Sequence, residues 1–164
     1  MAAGPTIRIA RERPDHPEVR PLLDALDRYL ASLYAPQDNH ILDLQALLAP
    51  DVDFRVARED GQVVGCGAAR RMPGEAATAG AAYGEIKRMY VDPARRGQRI
   101  AERLITELER GLAAQGIGLA LLETGRDQRE AVRLYERCGY RPRGPFGGYP
   151  DNGLSVFYGK QIAR

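Results

Sequence analysis

The stretch from Tyr83 to Glu123 sets the architecture. An extended run, Tyr83 to Val91, stops at Asp92-Pro93, and Ile100, Leu104, Ile105, Leu108 and Leu112 then recur at three- and four-residue steps until Gly116 and Gly118. That spacing puts the apolar side chains on one helix face and leaves Glu102, Arg103, Glu107 and Arg110 outside it. The next run, Leu119 to Glu123, is apolar almost without interruption. A strand of that kind is covered on both faces, so the chain reads as a sheet with helices packed against it.

The remaining segments fit the same plan. Thr6 to Ala10 alternates like a short strand, and Glu18 to Leu33 carries Val19, Leu22, Leu23, Leu26, Leu30 and Leu33 at helical spacing, with Asp15 as its expected cap. Tyr34 to His40 is a polar loop, followed by a short helix expected over Ile41 to Leu48. Asp53 to Arg58 and Gln62 to Arg71 form an antiparallel pair around Asp60-Gly61, because glycine accepts the positive φ of a hairpin turn. Gln128 to Cys138 is a helix ended by Gly139, and strands at Tyr140 and at Leu154 to Ile162 flank a Pro- and Gly-rich loop. The expected order is β-α-α-β-β-β-α-β-α-β-β. This is an α/β (α+β) chain with a mixed central sheet of six to seven strands and about four helices.

With 164 residues, 44% of them apolar, and a net charge of +2, residues 1–164 fit one domain with no strong global field. Neither nucleic acid nor a membrane is an expected partner. No run approaches the ~18 apolar residues of a membrane helix, and the first residues lack the apolar core of a secretory signal, so a cytoplasmic location is expected. Cys66 and Cys138 have no metal-ligand spacing. They read as small buried apolar residues, and no metal is expected.

Chemistry concentrates in Glu85-Ile-Lys-Arg-Met-Tyr-Val-Asp-Pro-Ala-Arg-Arg-Gly-Gln-Arg-Ile-Ala101, a strand, a tight turn and a helix start. A helix N-terminus offers unpaired backbone N–H groups and the positive end of the dipole, which together suit a phosphate. Arg96-Gly-Gln-Arg-Ile-Ala101 resembles the Gln/Arg-x-x-Gly-x-Gly/Ala acetyl-CoA motif of the GNAT N-acetyltransferase superfamily, except that Arg99 stands where the central glycine belongs. Downstream, Ala131-Val-Arg-Leu-Tyr-Glu-Arg-Cys-Gly-Tyr140 is similar to that family's Ala-x-x-Leu-Tyr-x-x-x-Gly-Phe/Tyr segment. Asn39-His40, Pro145-Phe-Gly-Gly-Tyr149 and Leu154-Ser-Val-Phe157 look like a bacterial subgroup of it.

The resemblance implies a GNAT-like domain that is an acyltransferase, with acetyl-CoA as donor and a primary amine of a small molecule or peptide as acceptor. It implies cofactor contacts from Met89, Tyr90 and Val91, whose main chain would pair with the amide-rich arm of CoA, and from Arg96, Gly97, Gln98, Arg99, Ile100 and Ala101 around the diphosphate. Tyr135 matches the tyrosine that protonates the departing sulfur, since a phenol is protonated at neutral pH. Glu85 is the candidate base. Strand alternation would turn Glu85, Lys87, Met89 and Val91 to one side and Arg88, as a structural residue, to the other. Glu123 is the competing base.

Loops on a rigid scaffold supply acceptor sites, so Tyr34, Asn39, His40 and Tyr149 are pocket candidates together with Glu123. Dimers are frequent among relatives, so a homodimer is one option, and the sequence leaves the oligomeric state open. A different class of function, a noncatalytic acetyl-CoA sensor, is the alternative that Arg99 leaves open.

Overall fold

A computed structural model of the chain describes residues 3–162. The strands are β1 (Ile7–Arg11), β2 (Val52–Glu59), β3 (Gln62–Met72), β4 (Tyr83–Val91), β5 (Leu119–Gly125), β6 (Arg141–Arg143) and β7 (Ser155–Gln161). The helices are α1 (Arg20–Leu33), α2 (Leu44–Leu47), α3 (Ile100–Ala114) and α4 (Arg129–Arg137). Element order and type follow the sequence reading. One seven-stranded sheet runs β1-β2-β3-β4-β5-β7-β6, antiparallel throughout except for the β4–β5 pair.

Two helix boundaries differ from expectation. Helix α1 starts at Arg20 behind Val19, without a side-chain cap, because Asp15 forms a two-bond fork with Arg13 at 2.8 and 2.9 Å. Helix α2 is a single turn, started by Asp43, whose carboxylate accepts from the Ala46 amide at 2.8 Å.

Strand β3 separates the two halves of the core. Cys66 and Ala68 face α1 and α2, packing with Leu22, Leu23, Leu47 and Phe54. Gly65, Gly67 and Ala69 face α3, where a Cβ on Gly65 would lie 3.3 Å from Ile100 and Leu104. The missing side chains let α3 lie close against the sheet, and α4 joins it on that face through Tyr135.

Strands β4 and β5 are paired only at Gly84–Ala120, Glu85–Leu121 and Ile86–Leu122, although β4 continues to Val91 and β5 to Gly125. Beyond Ile86 they splay apart. On the other edge of β4, Gly67 opposes both Arg88 and Met89, since Cys66 pairs with Tyr90 and Ala68 with Lys87. This two-against-one bulge coincides with a left-handed backbone at Arg88, φ +58°.

Candidate active site

The bulge corrects the expected side-chain directions on β4. Glu85 and Lys87 turn toward Tyr149, whereas Met89 packs with Leu108 beneath α3 and Val91 with Ile100 and Leu104. One inserted residue reverses the alternation, so the four side chains do not share a face. Arg88 is likewise not on the far side from Lys87. Both line one cleft, and Arg88 reaches across to Asp27 on α1.

That cleft lies where β4 and β5 separate. It gathers Tyr34, Asn39, His40, Met89, Glu123 and Tyr135, whereas Glu85 and Tyr149 are not among the residues that line it. Asp38, Arg88, Gln128 and Ser155 also line it. Nothing local in the sequence marks these four, because each arrives through the packing of a separate element.

Tyr135 is buried on α4, and among the described residues its hydroxyl makes no hydrogen bond. Burial raises its pKa above the ordinary phenol value, so it holds its proton. Glu123 ends the apolar run of β5 at the cleft, with Oε2 accepting from the Ser155 hydroxyl at 2.6 Å. Tyr34 packs against the bare backbone of Gly125, where a Cβ would lie 1.5 Å from its hydroxyl, and burial raises its pKa.

Glu85 is 4% exposed and sits in a triad rather than in a solvated surface pair. Its Oε2 accepts from Lys87 Nζ at 3.3 Å and from the Tyr149 hydroxyl at 2.5 Å, and Lys87 also donates to that hydroxyl at 2.5 Å. Burial and the adjacent carboxylate raise the Tyr149 pKa. His40 meets the Tyr149 ring edge-on at 5.3 Å and 70°, linking the loop after α1 to the loop before β7.

At the far end of β4 the turn is open to solvent from Arg96 to Arg99. Gly97 (φ +88°) and Arg99 (φ +59°) both take left-handed backbone, and Arg99 immediately precedes α3. Only glycine adopts that conformation without a steric penalty, which accounts for the motif's preference at this position. Ile100 anchors the helix start in the core and Ala101 packs beside it, while Gln98 is exposed. Arg96 folds back over the Tyr90 ring, 5.7 Å from its centre, and donates to the Val91 carbonyl at 3.3 Å. Arg95 pairs with Glu59, tying the turn to β2.

The two cysteines differ. Cys66 is fully buried and its pKa is pushed up to about 12, chiefly by burial. Cys138 is half-buried rather than enclosed, because its side chain lies at the rim of the core, and burial raises its pKa to about 11. Neither is an activated thiolate. Among the described residues no group of three or more His, Cys, Asp or Glu side chains could hold a metal ion, and no helix is long and apolar enough to cross a membrane.

The strand edge of β4 left open beside the turn at Arg96 to Arg99 is the setting for the comparison with known proteins. Residues 18–140 match the acetyltransferase (GNAT) family. The chain belongs to that family. An IAA acetyltransferase of Azospirillum brasilense is 45% identical over 158 residues, covering 96% of this chain and 99% of that one. A Klebsiella pneumoniae structure described as an acyl-CoA N-acyltransferase superposes with TM-score 0.75 at 34% identity, over 95% and 97% of the two chains. The PaiA N-acetyltransferase of Thermoplasma acidophilum in complex with coenzyme A shares the fold, with TM-score 0.72, 16% identity and 96% and 99% coverage. This GNAT chain is thus an acyltransferase that uses acetyl-CoA as its acyl donor.

Proposed function

We propose that the protein transfers the acetyl group directly from acetyl-CoA to a primary amine of a small molecule or peptide, without an acyl-enzyme. The observation that carries this reading is the β4 edge left unpaired by β5 beyond Ile86, whose Met89 lines the same cleft as Tyr135. Main-chain groups of Met89, Tyr90 and Val91 hold the amide-rich arm of the donor as an added strand and orient its thioester carbonyl. The amides from Arg96 through Ala101, at the positive end of α3, hold the diphosphate, with Arg99 and Arg96 beside it.

The amine nitrogen forms its bond to the thioester carbon as the carbon–sulfur bond breaks. Tyr135 delivers its phenolic proton to the departing sulfur, which its raised pKa keeps available. The amine's proton goes to a carboxylate. Glu123 lines the cleft directly, whereas Glu85 reaches it only through Lys87 and Tyr149, so Glu123 is the more direct acceptor. Tyr34, Asn39 and His40 shape the acceptor side, and Tyr149 supports it through its contacts with His40 and Lys87.

The test is thiol release from acetyl-CoA across amines, amino acids, aminoglycosides and peptides, repeated with Glu123→Gln and Glu85→Gln. Release that requires an amine and falls at least tenfold in Glu123→Gln supports the reading. Tight acetyl-CoA binding with no turnover on any amine overturns it in favour of a sensor.

A further inference from the structure

Among the described residues, one side-chain polar atom is both sealed from solvent and without a hydrogen-bond partner: Nε of Arg88. The Arg88 side chain is 6% exposed and lines the cleft between α1, β4 and β5. Its guanidinium is held from one end only, by Asp27 on α1, which accepts from Nη1 at 2.5 Å. A buried cationic donor without an acceptor is costly, and a native structure keeps one where something else supplies the acceptor. A second, independent feature lies in the same residue. Its backbone is left-handed at φ +58°, a conformation unfavourable for an arginine, and such strain collects at ligand sites.

We infer that Arg88 is the docking point for an oxyanion carried by the acceptor itself, so that the substrate is a zwitterionic amine. Asp27 fixes Nη1, leaving the Nε and Nη2 edge, the side of a guanidinium that takes an oxyanion through two parallel hydrogen bonds. The rest of the cleft has matching polarity. Lys87 is committed to Glu85 and Tyr149, while Asp38 and Glu123 offer carboxylates to an ammonium group. Both signs of charge are therefore present, which fits a zwitterion and opposes a polycation such as an aminoglycoside. Arg88 is the immediate neighbour of Met89, where the thioester end of the donor is held in the proposed reaction, so the amine and its oxyanion are separated by a short chain.

This inference rests on the amine acetylation proposed above, and the experiment separates the two. The kcat/KM of the native protein is measured with three matched short amines bearing a carboxylate, a phosphonate or a neutral amide. Both anionic amines, or one of them, should exceed the amide by at least tenfold, and the better of the two identifies the oxyanion. Equal use of the amide overturns the role of Arg88 and leaves amine acetylation standing. If no amine is acetylated while acetyl-CoA binds, both fall. Arg88→Lys keeps the charge and loses the fork, so it should lower the anionic-to-neutral ratio at least tenfold through KM, with folding checked by melting temperature and CoA affinity. A folded Arg88→Lys protein that keeps the full ratio overturns the inference, and the native-protein ratios decide it if that variant does not fold.

Discussion

The Tyr149 hydroxyl donates to the Glu85 carboxylate at 2.5 Å, from a loop 64 residues away in sequence. The contact seats the loop before β7 on β4 and fixes the buried carboxylate beside Lys87. Tyr149→Phe leaves Glu85 and Lys87 each short of one partner. Removing a hydrogen bond to a buried charged group costs about 1.5–3 kcal/mol. The melting temperature should fall by about 3–12 °C at 2–4 °C per kcal/mol for a domain of this size, and calorimetry reads it directly.

Tyr135→Phe should lower kcat about 100-fold or more with an amine that the native protein acetylates, the usual contribution of a positioned acid. Acetyl-CoA affinity, measured by calorimetry, should change little, because the donor is held mainly by the main chain. An unchanged kcat would remove the acid role from Tyr135.

Burial moves the Tyr135 pKa upward, and the reaction needs the protonated phenol. The sign follows: activity that depends on Tyr135 is present below its pKa and lost above it. The kcat profile should therefore show no descending limb between pH 7 and about 9.5, below the ordinary phenol value near 10. A limb near pH 8 that disappears in Tyr135→Phe would contradict this.

Arg99 holds left-handed backbone on an exposed turn. Arg99→Gly removes a penalty of roughly 1–2 kcal/mol, partly offset by the greater freedom of glycine in the unfolded chain. The variant should be up to about 1 kcal/mol more stable in urea titration. It should also bind CoA several-fold more weakly at low salt, through loss of a cation beside the diphosphate. The two effects separate backbone from charge at one position.

Cys66 and Cys138 should both resist iodoacetamide at pH 7.5 in the native state and react in guanidinium. Their raised pKa values, about 12 and about 11, keep each thiol protonated, and Cys66 is also inaccessible. Mass spectrometry of the alkylated protein counts the modified sites.

Much of this was legible from the chain because helix and strand periodicities, turn residues and the Arg96 to Ala101 motif are local. Leu104, Leu108 and Leu112 announce α3 whatever surrounds them, and Arg96 to Ala101 carries its backbone geometry within six residues. Tyr34, His40, Glu123 and Tyr135 could be named from the loop, strand and helix that hold them, and the fold brings them into one cleft.

Order and type of the elements, the turn from Arg96 to Arg99 and the candidate residues around it were all readable from the chain. Tertiary structure alone decided which way β4 points its side chains. The bulge at Arg88 exists only as a mismatch in pairing with β3, two residues against Gly67, and no pattern within β4 encodes a mismatch with another strand. The Glu85–Lys87–Tyr149 triad and the Arg88–Asp27 pair have the same origin: their partners are distant in the chain and meet only in the folded protein.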